Sequence, residues 1–223
     1  MKNLVPRYFP WLEGKNLKEE YEKDYAKNGT FFGVDIFRDL IVENIKPGIT
    51  VAELGVFDGA TTMMNLPIIK SVSGKYYAVD WFNGTDESQW GVNHNNLDHT
   101  SPRHYYREGY DQYIYPLFLE NIKKTNCGDV CVVIKAKTED AAPLIPDGSL
   151  DICFIDAAHD YVNVTNDIKN YLPKVKKGGI ICGHDYDRHH IELKKAVNDF
   201  FGKDKIKCRT GVLNTSPVWI VQL

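Results

Sequence analysis

Two short stretches of this chain concentrate side chains that bind cations or move protons. One is Asp156-Ala157-Ala158-His159-Asp160 and the other is His184-Asp185. They sit at or just past the ends of two apolar runs, 150–156 and 179–183. Asp156, His184 and Asp185 can converge on one divalent cation. His159, three residues past Asp156, can face the same cleft, where an imidazole of ordinary pKa is suited to taking a hydroxyl proton near neutral pH. A third stretch, 53–62, leads from an apolar run into a turn carrying Gly55 and Gly59. Glycines let a ligand approach the backbone, and the free N–H groups of a helix start attract an anion. A dinucleotide fingerprint needs a glycine where Phe57 stands, so the turn is poorly made for a pyrophosphate. Asp80 ends the next apolar run, placed to take two ribose hydroxyls, with Trp81 and Phe82 beside it to stack on a purine. Together these residues favour a ribonucleoside cofactor whose other end is not a phosphate.

Chemistry of this kind needs strand ends brought side by side. The continuous apolar runs 50–56, 75–80, 130–134, 150–156 and 179–183 read as strands covered on both faces. Helical spacing lies between them, at Ile36, Leu40, Ile41 and Ile45, at Val164, Ile168, Tyr171 and Leu172, and at Leu193, Val197, Phe200 and Phe201. The alternation predicts a doubly wound α/β fold with a mostly parallel sheet. Segments 205–209 and 218–222 are too close for an intervening helix, so the last strand is expected to run antiparallel. Pro67 and Pro116 interrupt two further helical stretches, which should start late or kink. Residues 1–34 are aromatic and charged and read as an N-terminal lid. Residues 82–108 form a long polar segment, read as a substrate loop with Trp90, His94, His99 and Tyr105 as contacts. Of the seven histidines, only His159 and His184 stand in motifs.

Composition sets the outer bounds. A chain of 223 residues, 43% hydrophobic and 26% charged, can bury the core of one globular domain. A net charge of −3 gives no general footprint for nucleic acid or anionic membrane. No apolar run is long enough to span a bilayer, and no secretory signal is evident, so a soluble cytoplasmic protein is expected. The five cysteines include no C-x-x-C pair, and Cys131, Cys153 and Cys182, inside apolar runs, read as buried reduced thiols. A homo-oligomer is compatible with all of this.

The 52–59 run, Asp80, the Phe154–Tyr161 motif and the Gly178–Tyr186 motif resemble class I S-adenosylmethionine-dependent methyltransferases. The similarity is greatest to the small-molecule and sugar O-methyltransferases, with catechol-type enzymes as cousins, and spans about residues 35–223. It implies a Rossmann-like seven-stranded sheet with an antiparallel last strand, and methyl transfer to a hydroxyl of a small molecule or sugar. By the same resemblance, Glu53, Gly55, Asp58 and Gly59 surround the methionine moiety and Asp80 takes the ribose. Trp81, Lys137 and Thr138 wall the adenine. Asp156, His184 and Asp185 hold Mg²⁺ or Mn²⁺, and His159 is the base beside Asp156. His184 departs from the carboxylate usual in these relatives; imidazole is a poor Mg²⁺ ligand and suits Mn²⁺, Fe²⁺ or Zn²⁺. Either the metal differs, or His184 is a base or substrate contact, or the site is metal-free. The competing readings are an NAD(P)-dependent oxidoreductase and a non-catalytic cofactor-binding partner in a biosynthetic complex.

Overall fold

A computed structural model describes residues 34–84, 111–211 and 216–223. Residues 1–33 of the expected lid, residues 85–108 of the expected loop, and with them Trp90, His94, His99 and Tyr105, lie outside the described residues.

Strands β1 (Thr50–Leu54), β2 (Lys75–Asp80), β3 (Cys131–Lys135), β4 (Leu150–Ile155), β5 (Val175–Gly183), β6 (Lys207–Arg209) and β7 (Val218–Gln222) form one sheet. Its order is β3-β2-β1-β4-β5-β7-β6. The first five strands are parallel, and β7 runs antiparallel to both β5 and β6. Successive residues along the strands face opposite ways, as the strand repeat of two dictates. Val51, Tyr76, Ile152, Ile180 and Ile220 enter one apolar core, while their neighbours Ala52, Tyr77, Cys153, Ile181 and Val221 enter the other.

The first core is roofed by α1 (Asp35–Glu43), α2 (Ala60–Ser71) and α3 (Asp111–Lys124), through side chains such as Phe37, Leu66 and Phe118. The ring of Phe37 stacks on Phe154 with centroids 4.4 Å apart. The second core is roofed by the short α4 (Thr138–Ala141), α5 (Tyr161–Tyr171) and α6 (Ile191–Phe201), through Ile168, Tyr171, Leu193 and Val197. With both faces covered, the central strands have no room for a polar side, which is why they read as unbroken apolar runs.

Several boundaries differ from the sequence expectation. β1 stops at Leu54 because Gly55, at φ +82°, turns the chain out of the strand. β5 starts at Val175, and the register shift against β4 between Leu150 and Ile152 absorbs Gly178 and Gly179 within the strand. β6 loses residues 205 and 206, since Lys203–Lys205 form a 3₁₀ turn. Pro67 and Pro116 fall inside α2 and α3, neither of which starts late. Buried Leu66, Ile68 and Ile69 around Pro67 supply packing that offsets the hydrogen bond proline cannot make. Cys153 and Cys182 are buried as expected, whereas Cys131, on edge strand β3, is half-exposed.

The strand order reverses direction between β1 and β4. In open α/β sheets the crevice at the carboxyl ends of such a pair is where ligands bind.

Candidate active site at the carboxyl edge of the sheet

Main-chain hydrogen bonds weld the ends of β1, β2 and β4 together. Gly55 N–H donates to the Val79 carbonyl and Asp156 N–H to the Leu54 carbonyl, both at 2.8 Å. A Cβ on Gly55 would sit 2.0 Å from the Asp156 carbonyl oxygen, so only glycine lets the turn after β1 pass this close to the loop after β4. Phe57 takes a left-handed conformation, φ +50°, where a dinucleotide loop would carry its middle glycine. Gly59, at φ +88°, caps α2.

Asp80 closes this turn from the side. Its Oδ2 accepts the N–H groups of Val56 and Phe57, each at 2.9 Å, and its Oδ1 accepts that of Phe82 at 2.6 Å. Burial raises the Asp80 carboxyl from its ordinary pKa, against the downward pull of these N–H groups. Phe82 is also left-handed, at φ +61°. Asp58 is buried, with Oδ1 accepting the Ala60 N–H at 3.2 Å. Trp81 donates its Nε1–H to the Gly84 carbonyl at 2.7 Å, and the Lys137 ammonium lies 5.5 Å from its ring centroid. Thr138 opens α4 beside Lys137, and its carbonyl accepts the Tyr171 hydroxyl at 2.9 Å. The candidate cofactor residues thus gather at one edge, except for the Glu53 carboxylate. That group lies under α2, accepting the Thr62 hydroxyl at 2.5 Å and the Tyr76 hydroxyl. Burial pushes it up to about 8, more than these hydroxyls pull it down.

The second half of the edge is an acid–imidazole cluster. His184 N–H donates to the Ile155 carbonyl at 3.1 Å, which sets the loop after β5 against the loop after β4. Asp185 follows at φ +56°. Its Oδ1 lies 3.2 Å from His184 Nδ1 and its Oδ2 lies 3.0 Å from His159 Nε2. Asp156 Oδ1 lies 3.7 Å from His184 Nδ1 and 3.9 Å from His159 Nε2. Burial alone would raise Asp185, but His184 and His159 hold it well below the usual carboxylate range. Burial alone would lower His159, but Asp156 and Asp185 hold its imidazole up at about 10. The expected base is therefore flanked by two acids, which favour its protonated form.

Three further residues belong here that the sequence motifs did not single out. His190 precedes α6, with its ring 4.9 Å from that of His159. Asp187 Oδ1 accepts the main-chain N–H groups of His189 and His190 and lies 3.1 Å from His190 Nδ1. Ser216 donates to Asp185 Oδ1 at 2.7 Å. The signal for His190 was the helix start itself, which returns the chain to the cleft five residues past Asp185.

Asp156, His184 and Asp185 each offer a ligand atom, all within 4.8 Å of one another. A mixed nitrogen and oxygen set of this kind fits a divalent ion of borderline softness. Among the described residues no helix is long and apolar enough to cross a membrane.

Residues 52–186, from β1 to just past the histidine–aspartate pair, match the family model described as a methyltransferase domain. An uncharacterized protein, R132, of Acanthamoeba polyphaga mimivirus is 28% identical over 191 residues, covering 80% of this chain and 73% of that one. Among solved structures, the O-methyltransferase NovP is 18% identical with a TM-score of 0.57, over 83% of this chain and 75% of its own. The O-methyltransferase from Bacillus cereus, solved in complex with SAH, is 15% identical with a TM-score of 0.58, over 99% and 97%. CalS11, a calicheamicin methyltransferase, is 14% identical with a TM-score of 0.57, over 99% and 91%. The NAD(P) reading and the non-catalytic reading both give way to this match. The chain belongs to the methyltransferase-domain family, as an S-adenosylmethionine-dependent enzyme with the class I fold.

Proposed function

We propose that this methyltransferase acts on oxygen, transferring methyl to a hydroxyl of a small, sugar-like molecule with a divalent cation at Asp156, His184 and Asp185. The observation that carries the reading is the contact between Gly55 and the Asp156 main chain, which puts the cofactor turn and the acid–imidazole cluster on one wall. When bound, S-adenosylmethionine supplies an electrophilic methyl and the cation a Lewis acid that lowers a hydroxyl's pKa.

The residues present do the rest. Asp80 fixes the turn after β1, so the methyl donor is held in one pose; in-line displacement depends chiefly on such alignment. Asp156 and Asp185 stand as oxygen donors, and His184 adds the nitrogen that favours Mn²⁺ or a similar ion over Mg²⁺. His159 Nε2 lies between the two acids, where a proton on it offsets their mutual repulsion. The likenesses to NovP, an O-methyltransferase, and to CalS11, a calicheamicin methyltransferase, support oxygen as the acceptor atom and a small molecule as the substrate.

The test is methyl transfer from labelled S-adenosylmethionine to panels of glycosides, phenols and amines, with and without chelator. Product on hydroxyl acceptors that EDTA suppresses and Mn²⁺ restores supports the reading. Product on amines alone overturns O-transfer, and full turnover in a chelator-stripped, metal-free preparation overturns the cation.

A further inference from the structure

The acid–imidazole cluster offers donors beyond the three of the first cation position. Asp185 turns its two oxygens to different histidines: Oδ1 toward His184 Nδ1 at 3.2 Å and Oδ2 toward His159 Nε2 at 3.0 Å. Neighbouring ligand atoms around an ion with bonds of about 2.1 Å stand roughly 3.0 to 3.4 Å apart, so both spacings suit a shared ion as well as a hydrogen bond. His159, Asp185 and His190 each offer a ligand atom, and these lie within 4.8 Å of one another, as do those of Asp156, His184 and Asp185.

We propose that Asp185 is shared by two cation positions, the second formed by His159, Asp185 and His190 and taking a divalent transition ion such as Mn²⁺, Fe²⁺ or Zn²⁺ in preference to Mg²⁺. Two imidazoles and one carboxylate are a donor set with intermediate softness and open positions, whereas Mg²⁺ prefers oxygen throughout. His190 stands on the same side of the cluster: its Nδ1 lies 3.9 Å from Asp185 Oδ1 and 3.1 Å from Asp187 Oδ1, which also accepts its main-chain N–H. A carboxylate whose oxygens face different ions is the bridge found in paired-metal sites, where the ions stand about 3.5–4 Å apart. The proposal rests on the cation site above, with which it shares Asp185, and the ion count tells the failure of one position from the failure of both.

The experiment counts ions. Metal-stripped full-length protein is dialysed to equilibrium against Mn²⁺, and separately against Mg²⁺, and bound metal per chain is measured by elemental analysis, with circular dichroism as the check on folding. Two Mn²⁺ and no more than one Mg²⁺ are expected. His190→Ala and His190→Gln should each lose one Mn²⁺, Asp156→Asn should lose the other, and Asp185→Asn should lose both. One Mn²⁺ in the wild type, unchanged in His190→Ala, overturns the second position and leaves the first. A single ion lost equally in His190→Ala and Asp156→Asn means one many-donor site and also overturns it. No ion in the wild type overturns both positions, and two Mg²⁺ overturn the selectivity. Electron paramagnetic resonance of the wild type reads the same question without variants: coupled ions give a broadened signal, and isolated Mn²⁺ a resolved hyperfine pattern that counts against the pair.

Discussion

Asp80 illustrates how much a single carboxylate settles. Because its oxygens already accept three main-chain N–H groups around the cofactor turn, it acts on the ligand partly through the loop it holds. Asp80→Ala should weaken S-adenosylhomocysteine by about 1–3 kcal/mol and lower folding stability as well, because the three N–H groups lose their acceptor. Calorimetry and urea unfolding of the same variant check this; unchanged affinity in a folded variant refutes the assignment. Glu53 makes the opposite prediction about pH. Its pKa rises from 4.5 to about 8 in the fold, so its contribution is complete below pH 4.5 and is lost as pH climbs through 8. At about 1.4 kcal/mol per unit, that loss is on the order of several kcal/mol. Glu53→Gln should flatten the pH dependence of the unfolding midpoint between pH 5 and 8.5, and a variant that keeps the wild-type slope counts against it. Asp80, Asp156, His184 and Asp185 were legible in the sequence because each directly follows or ends an apolar run. His190 and Asp187 were not, because no periodicity encodes the path of the loop after β5.

At the level of elements, the acid loop is tied down by the helix that follows it. Asp160 is the N-cap of α5: its Oδ1 accepts the Val162 and Asn163 N–H groups at 3.1 and 3.0 Å, one residue after His159. Asp160→Ala should reduce stability by about 1 kcal/mol, read by denaturant unfolding, since such caps are worth roughly 0.5–2 kcal/mol. In α2, Pro67 removes a helical hydrogen bond that alanine would restore. Pro67→Ala should therefore raise the thermal midpoint, and a lower midpoint would show that the proline ring's packing outweighs the missing bond. The helix spacing around Ile36, Val164 and Leu193 located three helices in the sequence. The helices containing prolines were legible as helical stretches, but their starts were not, because buried packing overrode a local rule.

Across the whole molecule, the two cores depend on β7 lying between β5 and β6. Trp219 is buried in the second core, 6.0 Å from Phe201 between ring centroids, and lies over Gly183 next to His184. Trp219→Ala should cost about 3–5 kcal/mol and, by loosening the end of β5, lower metal affinity too; unfolding and Mn²⁺ titration together check it. The sequence foretold an antiparallel last strand from the short spacing between 209 and 218. It could not say that β7 would insert beside β5, because edge order depends on packing between distant elements.

The left-handed residues Phe57, Phe82 and Asp185 all stand just past the carboxyl ends of strands, after β1, β2 and β5. Each holds its side chain in a backbone conformation that a glycine would adopt without strain. Relief of that strain is outweighed where the side chain packs or pairs: Phe82 is buried against Tyr115 and Phe118, Phe57 packs on the same core, and Asp185 accepts the Ser216 hydroxyl. The same three side chains thus serve the fold and border the candidate site, so glycine at 57, 82 or 185 should lower the thermal midpoint, and a stabilising library does best to leave these positions fixed.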